Sequence, residues 1–263
     1  MFMPRTAASV ARTSLSAKRV VLKKRQYSLR FNGSSSANTD FGASTFFDST
    51  QPFAFYIEVD ASRYFNGGIT AAHGVVSLKT DQGVPFVFYF NNSGNISLNM
   101  GGNTVFPVMR PTNKNQTVLK LKSGIHGICV TFDGVDRTLS SSYKLYIDGV
   151  NSPLTTGVTP TATTHNNMLG KLGTSNPGNV DIGFFATWNG GTALSATDAA
   201  NLWFDNIFPS TATLTHAYYL SEGSGTSVAD SVGGANGTND TGVTWGNGFS
   251  STRSAVSART VVS

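Results

Sequence analysis

Glu58 and Asp60, two residues apart in the run IEVD, are the nearest this sequence comes to an acid-base pair. On a strand such residues project from the same face, and retaining glycoside hydrolysis needs an acid and a nucleophile about 5 Å apart. Glu58 and Glu222 are the only glutamates in the chain. A solvated or hydrogen-bonded strand carboxylate is the plainer reading of Glu58. His73, His126, His165 and His216 lie scattered, with neither the HExxH pattern nor the paired spacing of a zinc site. No GxSxG elbow, phosphate loop or dinucleotide fingerprint is present. Cys129 stands alone in GICVTF, where it reads as a small buried hydrophobe rather than a reactive thiol. The expectation is a protein that binds or assembles and performs no catalysis.

Sugar binding asks for an aromatic platform beside Asn, Asp or Gly, because a sugar ring has one apolar face and a polar perimeter. Trp188 and Asn189 in TWNGG are the first candidates, followed by Tyr64 and Asn66 in RYFNGG. A core position for Trp188 is an equal reading.

Charge is unevenly spread. Residues 1–30 hold eight Lys/Arg and no acid, residues 31–245 hold nine Lys/Arg against fourteen Asp/Glu, and the last 18 residues add Arg253 and Arg259. The body is therefore mildly acidic, and the overall charge of +5 belongs to the ends. The segment MFMPRTAASVARTSLSAKRVVLKKRQYS is open to more than one reading. Its composition fits a mitochondrial presequence, although as a helix its amphipathy is poor, since Lys18 and Arg25 fall on the apolar side. As a retained basic arm, Arg5, Arg12, Lys18, Arg19, Lys23, Lys24 and Arg25 would anchor the chain to a partner. That partner is another subunit of an oligomeric assembly, or nucleic acid through phosphate neutralisation. No apolar run approaches the ~20 residues that span a bilayer.

Around these groups, runs rich in Val, Ile, Phe and Tyr recur between clusters of Gly, Asn, Ser and Asp, the pattern of an all-β sandwich. YSLRF, PFAFYIEVD, GVVSLKT, VPFVFYFNN, NISLNM, TVLKLK, GICVTFDG, SYKLYIDG, DIGFFATW and THAYYLS are expected as strands, with a last one near Val243–Trp245. VFYFNNSGNISLNM reads as a hairpin around NSGN. One short helix is expected in TALSATDAANLWF, with Ser195 as N-cap and Asp198 three residues on. Residues 151–164 read as a long loop. The organisation expected is a basic arm over 1–26, one sandwich over 27–245 and an irregular tail over 246–263.

The order of these motifs resembles the laminin-G-like branch of the concanavalin A-like lectin and glucanase superfamily. YSLRFNGS is similar to its opening strand, VPFVFYFNNSGNISLNM to its central hairpin, and GIHGICVTFDGVDRTLSSSYKLYIDGV to its paired strands ending in Asp-Gly. MLGKLG and DIGFFATWNGGTALSATDAANLW then resemble the short strand after the loop and the closing strand with its helix. The resemblance implies a two-sheet antiparallel jelly roll. It also raises calcium as a cofactor, held through Asp133, Asp148 and Asp181, although Asp-Gly turns explain the first two without a metal. The third carboxylate of the glucanase pattern is missing, because ASRYF follows IEVD. The function expected is a virion component, of a phage capsid or tail, whose arm fastens it and whose lectin-like domain meets host glycans. The alternatives are a secreted or cell-surface carbohydrate-binding module and a glycan hydrolase.

Overall fold

The computed structural model describes residues 20–67, 72–82, 85–91, 95–100, 108–113, 121–157, 167–172 and 176–254. In chain order the first strands are β1 (Val20–Lys24), β2 (Tyr27–Phe31), β3 (Thr39–Asp40) and β4 (Phe53–Asp60), followed by helix α1 (Ser62–Asn66). Next come β5 (His73–Lys79), β6 (Pro85–Phe90), β7 (Ile96–Met100), β8 (Val108–Pro111), β9 (Ile125–Phe132) and β10 (Tyr143–Ile147). Short strands β11 (Val150–Ser152), β12 (Leu154–Gly157), β13 (Met168–Leu169), β14 (Lys171–Leu172) and β15 (Asn176–Pro177) lead to the long β16 (Asp181–Gly191) and helix α2 (Ala196–Phe204). The chain ends through β17 (Ala212–Tyr218), β18 (Ser227–Val228), β19 (Gly237–Asn239), β20 (Val243–Asn247) and β21 (Ser250–Ser254).

Two antiparallel sheets result. The first runs β11–β10–β9–β4–β16–β2–β20, with β17 lying along the C-terminal part of β16; the second runs β12–β8–β7–β6–β5–β13–β3–β19–β18. β16 serves two neighbours on one edge: Asp181 and Ile182 pair with β2, and from Phe185 onward it pairs with β17. The expected β-sandwich is therefore the fold. The β6–β7 hairpin also forms, with Phe86 opposite Met100 and Phe90 opposite Ile96.

Aromatic residues fill the space between the sheets. Phe53, Phe55 and Ile57 of β4 and Phe185 of β16 meet Phe86, Phe88 and Phe90 of β6 in one continuous core. The first sheet is apolar on its other face as well, where Ala54, Tyr56, Phe184, Ala186 and Trp188 pack under Leu194 and under Ala199 and Leu202 of α2. This second core explains why FAFYIEV is buried at every residue and shows no inside-outside alternation. Gly127 permits the close approach of the helix, because a Cβ there would collide with the Trp203 ring and the Tyr56 hydroxyl.

α2 starts where expected. Ser195 accepts the Asp198 N–H and the Asp198 carboxylate accepts the Ser195 N–H, a reciprocal capping box. α1 has no counterpart among the expected elements. The stretch expected as a loop from residue 151 contains β12 and most of β11, paired with β8 and β10 respectively, and residues 158–166 lie outside the described residues. Most of TVLKLK also lies outside them, and Leu121 and Lys122 are helical or turn rather than strand.

The two ends of the chain pair with each other. β2 pairs with β20 and β1 with β21 in one unbroken register, from Val20 opposite Ser254 to Phe31 opposite Val243. Arg25 and Gln26 join the two halves through hydrogen bonds from the Arg25 N–H to the Phe249 carbonyl and from the Gly248 N–H to the Gln26 carbonyl. Ser250–Ser254 is thus strand, where the sequence suggests an irregular tail.

Candidate functional site

The structure removes the sugar platform read from the sequence. Trp188 is 1% exposed and lies beneath α2, with Phe208 6.0 Å from its ring, so neither face is open to a ligand. Asn189 is spent on structure: its Oδ1 accepts the Asp48 N–H at 2.7 Å and its Nδ2 donates to the Asp48 and Pro52 carbonyls. Tyr64 is buried, stacks on Phe90 and donates to the Asn91 carbonyl at 2.7 Å, and burial raises its phenol to about 12. Asn66 is exposed and donates to the Lys122 carbonyl. Reversal of side chains along β16 decides the Trp188 case. The chain alternates faces at each residue, and both faces of this central strand are covered.

The three candidate calcium ligands do not converge. Asp133 and Asp148 sit at opposite ends of the β9–β10 pair, about 20 Å apart along the strands, since Asp148 lies opposite Gly127. Asp181 lies on β16, three strands from β10, or roughly 14 Å across the sheet. Each carboxylate has its own protein partners. Asp133 accepts the Val135 N–H in a turn. Asp148, in the left-handed region at φ 54°, binds the Gly127 N–H and His126 Nδ1, both at 3.0 Å. Asp181 is held by Arg30 and Arg63. The residues present do not fit a shared calcium ion, and among the described residues no group of three acidic, His or Cys side chains could hold a metal.

Arg25 is not an anchor for a partner. Its guanidinium is 8% exposed and donates from Nε to Glu58 Oε2 at 2.9 Å and from Nη2 to Glu58 Oε1 at 3.0 Å, in the bidentate arrangement that suits Arg and carboxylate. Glu58 is 0% exposed and also accepts the Tyr56 hydroxyl at 3.2 Å. A carboxylate closed off in this way, with both oxygens in a bidentate ion pair, has no access to a glycosidic oxygen or to a water. This argues against hydrolysis at Glu58. Arg5, Arg12, Lys18 and Arg19 lie outside the described residues, as do the side chains of Lys23 and Lys24.

Above this ion pair the structure assembles a rim that the sequence did not announce. The Arg25 guanidinium carbon stands 4.2 Å over the centre of the Phe184 ring. Phe208 and Tyr219 flank the same ring at 5.9 Å and 5.3 Å, and Tyr219 is 38% exposed. Asn206, exposed, accepts Arg25 Nη2 at 3.0 Å through its Oδ1. The residue at φ 56° just past α2 is this same Asn206, and the Ile207 N–H returns to the Asn201 carbonyl, so the turn that ends the helix also sets the amide in place. Leu220, next to Tyr219, takes φ 54° although it is bulky and buried, an uncommon conformation for such a residue. Two of the three non-glycine residues with left-handed backbone among those described thus border one surface. The Asn-x-x-Pro pattern after α2 was the legible clue to the turn. Nothing in the sequence linked it to Arg25 or Tyr219.

The surface combines a half-open aromatic ring, an amide and a neutralised guanidinium, and all of it is carried by an all-β scaffold. No family model matches the sequence, and no curated protein matches it. Solved structures do. A candidate carbohydrate-binding protein from Bacteroides ovatus ATCC 8483 superposes with a TM-score of 0.55 at 15% identity, over 86% of this chain and 61% of that one. The native heptameric SAP-like pentraxin from Limulus polyphemus superposes with a TM-score of 0.53 at 12% identity, over 85% of this chain and 96% of that one. The fold shared with these structures is a two-sheet β-sandwich jelly roll. This chain spans about three fifths of the length of the Bacteroides protein, and at these identities the likeness concerns the fold alone.

Proposed function

We propose that this protein is a carbohydrate-binding module, with the laminin-G-like order of motifs as its variant of the jelly roll. The observation that carries the proposal is the fold shared over most of the chain with a candidate carbohydrate-binding protein. The closed Arg25–Glu58 pair supports binding over cleavage, because the strand carboxylate best placed for hydrolysis is fully buried. The assembly and virion reading draws on the basic arm, and Arg25, the basic residue of that arm whose side chain is described, is engaged inside the domain. Glycan binding is therefore the leading function, and attachment to an assembly is secondary.

The test is a glycan array of neutral and acidic oligosaccharides probed with the full chain, together with an end-group assay for cleavage of the same sugars. Binding to at least one class without release of reducing ends is expected. If no sugar is retained, glycan binding is wrong; if polysaccharide is cut and Glu58→Gln abolishes the cutting, the protein is a hydrolase.

A further inference from the structure

We infer that the rim formed by Tyr219, Phe208, Asn206 and Arg25 is a sugar subsite, and that it takes a neutral pyranose rather than an acidic one. The inference rests on the carbohydrate-binding reading above and gives it a place and a ligand class.

The geometry supplies what a pyranose needs. Tyr219 is the most exposed ring of the cluster, and its contact with Phe184 at 5.3 Å holds it against the sheet, so little freedom is lost when a sugar face stacks on it. Phe208, with its ring centre 6.4 Å from that of Tyr219, extends the apolar floor beside it. Asn206 Oδ1 accepts from Arg25 Nη2, which leaves the Nδ2 hydrogens to donate to a ligand hydroxyl. The amide is fixed from two sides, by the left-handed turn beneath it and by the guanidinium alongside. Arg25 acts as a positioning residue: it orients Asn206 and supports the Phe184 ring on which the floor rests. The subsite therefore draws on the junction after β1, the centre of β16, the turn after α2 and the end of β17.

Charge selects the ligand class. Among the described residues, Arg25 is the cation of the rim, and its charge is cancelled by Glu58 through two hydrogen bonds. Asp205, exposed and adjacent to Asn206, tips the local balance negative. A uronate or sialate carboxylate placed here would meet repulsion with no free cation among the described residues to offset it. A ring with hydroxyls alone meets none.

The experiment uses the full chain and measures affinity by calorimetry or affinity electrophoresis for soluble β-glucan, galactan and polygalacturonate. Tyr219→Ala is expected to weaken binding to the preferred neutral polymer by roughly tenfold, and Tyr219→Trp to retain it, a rescue that a merely structural role would not give. Asn206→Gly keeps the left-handed backbone and removes the amide, so it is expected to weaken binding severalfold while the thermal midpoint stays near wild type. If the chain binds a glycan and both Tyr219→Ala and Asn206→Gly bind it as the wild type does, the subsite is wrong while the carbohydrate-binding function stands. If polygalacturonate is bound in preference to the neutral polymers, the ligand class is overturned. If no glycan is bound, the function falls and the subsite with it.

Discussion

Arg25→Met should destabilise the domain as strongly as a core truncation, although residue 25 belongs by composition to a basic arm. The substitution keeps most of the aliphatic volume and removes both guanidinium bonds to Glu58, at 2.9 and 3.0 Å, the bond to Asn206 and the contact with Phe184. Glu58, 0% exposed, is then a buried charge without its cation. Breaking a buried pair from one side costs about 3–5 kcal/mol, and at roughly 2–4 °C per kcal/mol for a chain of this size the melting temperature should fall by roughly 6–20 °C. Glu58→Gln should cost a comparable amount from the other side. The double variant Arg25→Met, Glu58→Leu should recover most of the loss, since apolar replacement of a whole buried pair is often neutral. A chain beginning at residue 26 should behave like Arg25→Met or worse, because it also loses the β1–β21 ladder. Urea unfolding followed by fluorescence of the three tryptophans, with calorimetry alongside, measures all four. A midpoint for Arg25→Met within about 1 kcal/mol of wild type would refute the assignment of the ion pair to the folded core.

Other outcomes follow from the same structure. Trp188→Ala should cost about 3–5 kcal/mol of stability, by removing a ring buried beneath α2, read by urea unfolding. Asp230 is pushed up by burial, but bonds from His216 and from the backbone N–H groups of Ala217, Val232 and Gly233 outweigh this and hold it below its ordinary value of 3.8. The stability it confers is therefore present above that value and lost as pH falls below it through the folded pKa. The difference in stability between wild type and Asp230→Asn should be full at neutral pH and shrink in acid titrations below 3.8. Ser195→Ala should lower stability by about 1 kcal/mol through loss of the α2 cap, read by chemical denaturation. Burial raises the Cys129 thiol well above its usual range, so a thiol reagent should label it only in denaturant.

Local chemistry made much of the fold legible. The cap of α2 was readable because Ser195 and Asp198 satisfy each other within four residues. The β6–β7 hairpin was readable because strand residues flank turn residues in immediate succession. Site residues were far less legible. Trp188 and Asn189 carry the residue types of a sugar site, yet type does not reveal whether a ring lies above or beneath a helix that comes later in the chain. Asp133, Asp148 and Asp181 carry the types of a calcium site, and the register of β9 against β10 separates the first two by the length of the hairpin.

An all-β sandwich with one capped helix was readable along the chain, because apolar runs, turn residues and caps act between neighbours. The tertiary structure decided what the charges and aromatics are for. Arg25 looked like one more cation in an acid-free arm until the fold brought Glu58, 33 residues away, within 2.9 Å of it. The rim likewise exists only where segments around residues 25, 184, 206 and 219 meet. A charge or a ring acquires its role from the partners that exclude water around it, and long-range pairing of strands, not sequence spacing, chooses those partners.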